Sequence, residues 1–388
     1  MENLTELNRR RWAVQLALTT GLALLFLAAL LWGSRGVTPA RADPGDLYVD
    51  GASGQDIPTC GTTIAPCQTI SYTLNSRASD GDTILIATGT YTENLTITNI
   101  TLTLRGGYAV SGTLWLTGTG ETVINGNNAD VVFRLQDSNT VLDGLTITGG
   151  SSEEAGGIHA GSTDVTIRNC LIRDNFASAG GAAVFGGGDI QLTILDTRIM
   201  NNEAIEGSSG VLLGGGGGHL TMVNVLVANN RNKEAVHLNT GADLMNVTIA
   251  NNAVGTERPG VNHNPQAGEL LVLVNTIIYG NGQGDAIHVP DENLIQATYS
   301  DIQGGWTGTG NIDADPMFVD PATGDYRLSL GSPAIDTGTN TGVPDHDLDQ
   351  RPRPLDGDGD GAAVADMGAY EYNLYRIYLP LTLRNFGP

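Results

Sequence analysis

The chain has 388 residues, 53 of them Gly, with only 16% charged and 5% aromatic residues, a composition unlike that of a coiled coil or helical bundle. Its formal net charge is −23 and Lys233 is its one lysine, so the basic stripe that nucleic-acid binding requires is missing. An apolar share of 40% is enough to build a core, which excludes wholesale disorder.

Arg9, Arg10 and Arg11 precede an uncharged stretch from Trp12 to Gly33, and Ala40-Arg41-Ala42 before Asp43 has the small-x-small form of an export cleavage site. Residues 1–42 therefore read as a signal peptide or, if uncut, as an N-terminal membrane anchor, since about 20 apolar residues cross a bilayer. The mature chain is expected to be extracellular or at the cell surface, touching a membrane only through this segment.

Residues 43–82 come next. Cys60 and Cys67 lie in CGTTIAPC, close enough to clip a short loop as a disulfide in an oxidising compartment. Metal binding is the rival reading of that spacing, although no further Cys or His lies nearby. Cys170 is unpaired and falls at a core-facing position, where a thiol acts as a small hydrophobe.

Residues 83–305 are repetitive. Aligning VTIRNCLIRDN, LTILDTRIMNN, LTMVNVLVANN, ADLMNVTIANN and LLVLVNTIIYGN places Asn169, Asp196, Asn224, Asn246 and Asn275 in one column, with Gly144 and Tyr299 at its ends. The spacing runs from 22 to 29 residues. Three residues later comes a β-branched residue in every repeat, from Ile147, Ile172, Ile199 and Val227 to Ile249, Ile278 and Ile302. Apolar residues two apart mark short strands with one face inward. Their recurrence every ~25 residues means stacked coils with like residue on like residue at ~4.8 Å per coil. The expected fold is an all-β parallel β-helix of about eight or nine coils. The column Asn suits a bend, because Asn tolerates left-handed backbone angles and its amide can bond the Asn of the next coil. Six residues on, Asn175, Asn202, Asn230, Asn252 and Asn281 mark the next corner.

Ile158-His159, Val236-His237 and Ile287-His288 occupy equivalent places, β-branched residue inward and His outward. With Phe185, Leu213 and Asn262 in the intervening coils they form an outward column suited to an extended polymer, or an ordinary surface. At the strand spacing these histidines are ~10 Å or more apart, too far to share a zinc ion with ligands at ~2 Å. Glu153, Glu203, Glu234, Glu257 and Asp285 follow their Asn columns at similar distances and read as an acidic surface edge.

The last third changes character. Asp356, Asp358 and Asp360 followed by Gly361 copy positions 1, 3, 5 and 6 of a calcium loop. Position 12 is Met367, so Asp366 or Glu371 would have to substitute. Calcium is one reading of this stretch and a solvated acidic turn the other. Residues 374–388 form a short apolar tail, a sorting tag or a final edge strand.

From 46 to 305 the chain resembles the right-handed parallel β-helix superfamily of pectin-lyase-like proteins. LYVDGASGQD, CQTISYTLNS and GDTILIATGTYTENLTI resemble the N-terminal cap of secreted members, in which Thr69–Ser76 reads as an amphipathic helix covering the open end of the first coil. NIDADPMFVDPATGDYRLSLGSPAID, DHDLDQRPRPLDGDGDG and DMGAYEY, within 306–373, resemble the choice-of-anchor Q module of bacterial surface proteins, which carries no established enzymatic role.

The superfamily includes polysaccharide lyases and glycoside hydrolases. Polygalacturonases carry NTD, DD, GHG and R-x-K motifs. Here NTD and DD are absent, Gly218-His219-Leu220 lacks the second Gly, and only Arg231-Asn232-Lys233 matches. Lyase chemistry needs an Arg or Lys base, for which Arg173, Arg198 and Lys233 are candidates, and a strongly acidic chain repels a polyanionic substrate. The expectation is an exported structural or binding protein that contacts polysaccharide or another envelope component. A polysaccharide lyase or glycoside hydrolase is the alternative.

Overall fold

A computed structural model describes residues 45–374 except 119, 162, 163, 215, 255, 257, 258 and 267. The export segment at 1–42, the tail beyond Leu374 and Glu257 lie outside the described residues. Among those described, no helix is long and apolar enough to cross a membrane.

The chain winds as a parallel β-helix. Eight parallel strands, from Leu95–Thr98 to Ile287–His288, make one sheet, and a 17-stranded sheet folds over a bend to supply the other two long faces. Three short strands, Ser151–Ser152, Phe176–Ala177 and Glu203–Ala204, bridge a corner. The aliphatic stacks read from the repeats pair in register: Ile147 on Ile172, Ile199, Val227, Ile249, Ile278 and Ile302 in successive coils. Leu142, Ile167, Ile194, Met222, Leu244 and Leu273 form a second internal stack. All are buried, and each such side chain contributes about 1.5–3 kcal/mol on leaving water.

The first Asn column makes the bend. Asn169, Asp196, Asn224, Asn246 and Asn275 have φ between 45° and 54°, the left-handed region that Asn and Asp enter at least cost. The continuous amide ladder expected of that column stands elsewhere. Asn169 reaches Asp143 at 2.8 Å and Asn224 reaches Asp196 at 3.0 Å, but Asn246 and Asn275 donate to backbone oxygens of the C-terminal segment. The unbroken ladder is the second column, where each Asn Nδ2 donates to the next Oδ1 at 2.9–3.0 Å from Asn175 through Asn202, Asn230 and Asn252 to Asn281. The cause is geometric. The second column points inward at a tight corner, while the first lies under a neighbouring segment that competes for its amides.

The helix Ile70–Ser76 covers the first coil. Thr69 accepts from Tyr72 N, Glu93 accepts from Ile70 N and Ser71 N, and Ile70 is buried in the core. Cys60 and Cys67 form a disulfide beside it, and Cys170 is buried, where burial pushes its thiol up to about 12.

Residues 306–373 dock lengthwise on the 17-stranded sheet. Tyr326, Leu348, Ala369 and Tyr370 close over Leu226, Ala228 and Ala250, and Leu328, Ala334, Ile335 and Met367 close over Ile277. Arg353, fully buried, pairs with Glu371 at 2.6 Å and donates to Asn224 Oδ1 at 2.6 Å. Thr339 N and Gly368 N bond Asn275.

Candidate functional site

One long flank is covered by the C-terminal segment, and the outward side chains of the eight-stranded sheet make a long regular file on another face of the coil. Strand alternation sets the file. Phe133 and Leu135, Ile158 and Ala160, and Val236 and Leu238 point inward and are buried, so the residue between each pair points out. Register places Thr96, Arg134, His159, Phe185, Leu212, His237, Asn262 and His288 side by side in successive strands. Leu212, not Leu213, is the outward member; Leu213 is buried. The glycine run that follows blurs the repeat boundary there, and the expected position was one residue out. At ~4.8 Å per strand the file from Arg134 to His288 runs roughly 29 Å.

Two histidines in the file are held by charged neighbours. His159 Nδ1 lies 2.9 Å from Arg134 Nη1 and 3.4 Å from Glu154 Oε2, and its ring meets Phe185 at a centroid distance of 5.2 Å. Burial lowers the pKa of His159, with Arg134 adding to the effect and Glu154 opposing it. His237 Nδ1 lies 2.8 Å from Glu234 Oε1, to which Asn262 Nδ2 also donates at 3.3 Å. Burial alone would push the Glu234 carboxyl up, yet hydrogen bonds from His237, its own backbone N–H and Asn262 hold it below the usual glutamate range. His159 and His237 stand three strands apart and His237 and His288 two, so no metal ion joins them.

Glu234 departs from the surface edge expected of the acidic set. It is 3% exposed and tucked beneath the file, whereas Glu153 and Asp285 are exposed and Glu203 pairs with Arg231 at 3.0 Å. Sequence reading missed Arg134 as well. The available signal was its place between Phe133 and Leu135, one repeat before His159.

The calcium reading gains one residue and loses two. Asp336, Asp356 and Asp358 each offer an oxygen within 4.8 Å of the others. Asp360 and Asp366 stand outside that group. Asp366 is buried, accepting from Asp336 N and Tyr372 N, and Asp360 accepts from Ala362 N. Hard carboxylate oxygens suit a calcium-type ion. The same side chains also accept the loop's own N–H groups: Asp356 from Gly359 and Gly361, Asp336 from Asp358. Asp336 lies 20 residues upstream, so no local motif could include it.

Two of the three candidate lyase bases are paired with different partners. Arg198 pairs with Asp349 of the docked segment at 2.7 Å, Arg173 with Asp174 at 2.7 Å, and Lys233 sits at the corner before Glu234.

No protein-family model matches the chain, and no curated protein matches it. Among solved structures it is similar to the pectate lyase Pel9A, at 14% identity over 84% of this chain and 96% of that one, TM-score 0.44. It is also similar to YbhC of Escherichia coli, at 15% identity over 71% and 76%, TM-score 0.37. A third is the pectin methylesterase of Aspergillus niger, at 14% identity over 78% and 95%, TM-score 0.33.

Proposed function

We propose that this is an exported, cell-surface binding protein that holds an extended polysaccharide along the outward file from Arg134 to His288, with the N-terminal segment and the C-terminal module serving export and surface attachment. One observation carries this reading. A straight file presents one side chain every ~4.8 Å, in which hydrogen-bonding groups flank one aromatic and one aliphatic residue, Phe185 and Leu212, and His159 and His237 are already held by neighbours. A polymer lying across the strands meets many weak contacts in sequence, and prior immobilisation of the side chains lowers the ordering cost of each.

The test is a glycan array probed with the purified chain and with the Phe185→Ala/His237→Ala double variant. Retention of the parent on at least one polysaccharide and loss in the double variant are expected. No retention on any polysaccharide, or equal retention by the double variant, rejects the file as the binding surface.

The Glu234–His237 pair favours a second reading, a lyase or hydrolase, because a carboxylate that orients an imidazole is the arrangement of a general base. That reading requires unsaturated or new reducing-end products from a polysaccharide, abolished in His237→Ala.

A further inference from the structure

The two histidines that stand three strands apart in the file are held by partners of opposite hydrogen-bonding character. The Arg134 guanidinium has donors and no acceptor, so the His159 Nδ1 that it contacts at 2.9 Å must offer a lone pair. Glu154 lies 3.4 Å from the same nitrogen, but its side chain is 62% exposed and solvent competes for it. The lowered pKa of His159 agrees with a neutral ring. Its proton is then on Nε2. At His237 the relation is reversed. The Glu234 carboxylate accepts only, so the Nδ1 at 2.8 Å from it carries the proton, and in the neutral ring Nε2 is then the nitrogen that keeps the lone pair. Between the two lie Phe185 and Leu212, an apolar stretch of two strands.

We infer that the file has a fixed polarity, a donor end at Arg134 and His159 and an acceptor end at His237, and that its ligand is a neutral N-acetylated glycan bound in one direction. This rests on the polysaccharide reading above and names the class of polysaccharide. The chemistry selects the class in three steps. The Arg134–His159 end wants a carbonyl or carboxylate oxygen. A polyuronate would supply one, but Asp130 at 3.5 Å from Arg134, Glu154 and Glu234 beside the file, and a net charge of −23 repel a polyanion. An acetamido group offers the same acceptor without charge, a methyl for the ring of Phe185, and an N–H for an acceptor such as His237 Nε2. Glu234 acts here as a positioning residue, since it sets the protonation of His237, whereas Arg134 both sets that of His159 and offers its own N–H groups to the ligand.

The test has a ligand-free arm and a ligand arm. In the free protein, long-range proton–nitrogen NMR of the histidine rings at neutral pH should show Nε2-protonated His159 and Nδ1-protonated His237. The same tautomer at both positions overturns the polarity, whatever the protein binds. In the ligand arm, the hexamers of N-acetylglucosamine, glucosamine, glucose and galacturonate are compared by calorimetry. The N-acetylglucosamine hexamer should bind about tenfold tighter than the glucose hexamer, the difference expected for one hydrogen bond to a charged donor. Arg134→Gln should erase that preference and leave the affinity for the glucose hexamer in place. Equal binding of the N-acetylated and glucose hexamers, or tightest binding of galacturonate, overturns the class. Opposite tautomers with no binding of any hexamer sink the polysaccharide reading while the polarity stands.

Discussion

The buried asparagine ladder makes a sharp quantitative prediction at its middle rung. Asn202 is fully buried. Its Nδ2 donates to Ile172 O at 3.0 Å, Met200 O at 3.1 Å and Asn230 Oδ1 at 2.9 Å, while its Oδ1 accepts from the backbone N and side-chain Nδ2 of Asn175. In Asn202→Ala, Asn230 Oδ1 keeps the backbone N–H of residue 202, and Asn175 Nδ2 keeps Ile147 O and Arg173 O. The Asn175 N–H loses its acceptor, and Ile172 O and Met200 O lose a donor. One orphaned buried N–H and two weakened carbonyls, at about 1–3 kcal/mol for a group left unsatisfied, put the loss at about 3–5 kcal/mol. That is a large part of the ~5–15 kcal/mol that holds a domain folded. Asn202→Asp should be at least as damaging at neutral pH, because it turns an acceptor toward three acceptors. The control is the adjacent Asn201→Gly. Residue 201 is left-handed, with φ 59°, so glycine fits its backbone and the change should stay within about 1 kcal/mol. Urea unfolding followed by circular dichroism measures all three variants. If Asn202→Ala lost less than about 1 kcal/mol, or no more than Asn201→Gly, the claim that amide stacking holds this corner would be wrong.

Two pH effects and one cross-link complete the set. Burial and the neighbouring Glu371 raise the Asp366 carboxyl to about 8, so the folded state binds more protons than the unfolded one between its ordinary value near 4 and 8. Stability should fall as pH rises through that window, and Asp366→Asn should flatten the slope in pH-dependent melting. His346 has its pKa raised by hydrogen bonding to Asp196 at 3.1 Å and to Asp345 at 2.7 Å, against the opposing pull of burial. Its stabilisation is complete below the ordinary histidine value and fades as pH climbs through the raised one. Amide protection at Asp347 and Leu348, taken relative to base-catalysed intrinsic exchange, should therefore fall above neutral pH in the parent and lose that dependence in His346→Gln. Breaking the Cys60–Cys67 loop, whose cysteines are seven residues apart, with Cys60→Ser/Cys67→Ser should cost about 2.5 kcal/mol by loop-closure entropy, read as a lower urea midpoint.

What could be read from the sequence and what could not divide along a physical line. Stacked coils repeat a local rule, alternation about a left-handed residue, so the inward stacks through Ile199 and Leu244 and the bend at Asn224 were legible from spacing alone. The choice of which Asn column bonds to itself was not. Asp196, which cannot donate, already breaks the first column, but its Asn224, Asn246 and Asn275 are the same residue type as the second, and their outcome depends on the C-terminal segment bringing Arg353, Asp366 and Gly368 onto that column from more than 100 residues away. A contact of that range leaves no period in the chain. The same holds for the acidic group, where Asp336 meets Asp356 and Asp358 only after two loops fold together, and Asp366 is drawn into the buried network of Glu371 instead. The outward file falls between these cases. Its members follow from alternation, apart from the one-residue slip at Leu212 beside a glycine run that has no side chains to mark a phase. Its chemistry, however, comes from side chains that reach in from the corners. Glu234 is an acidic residue among several in the repeats, and only the fold shows that it turns under the sheet to hold a histidine of the file. A solenoid thus announces its scaffold through repetition, while the binding proposed for the file depends on Arg134, which follows the repeat, and Glu234, which departs from it, so these are the places to mutate first rather than the columns themselves.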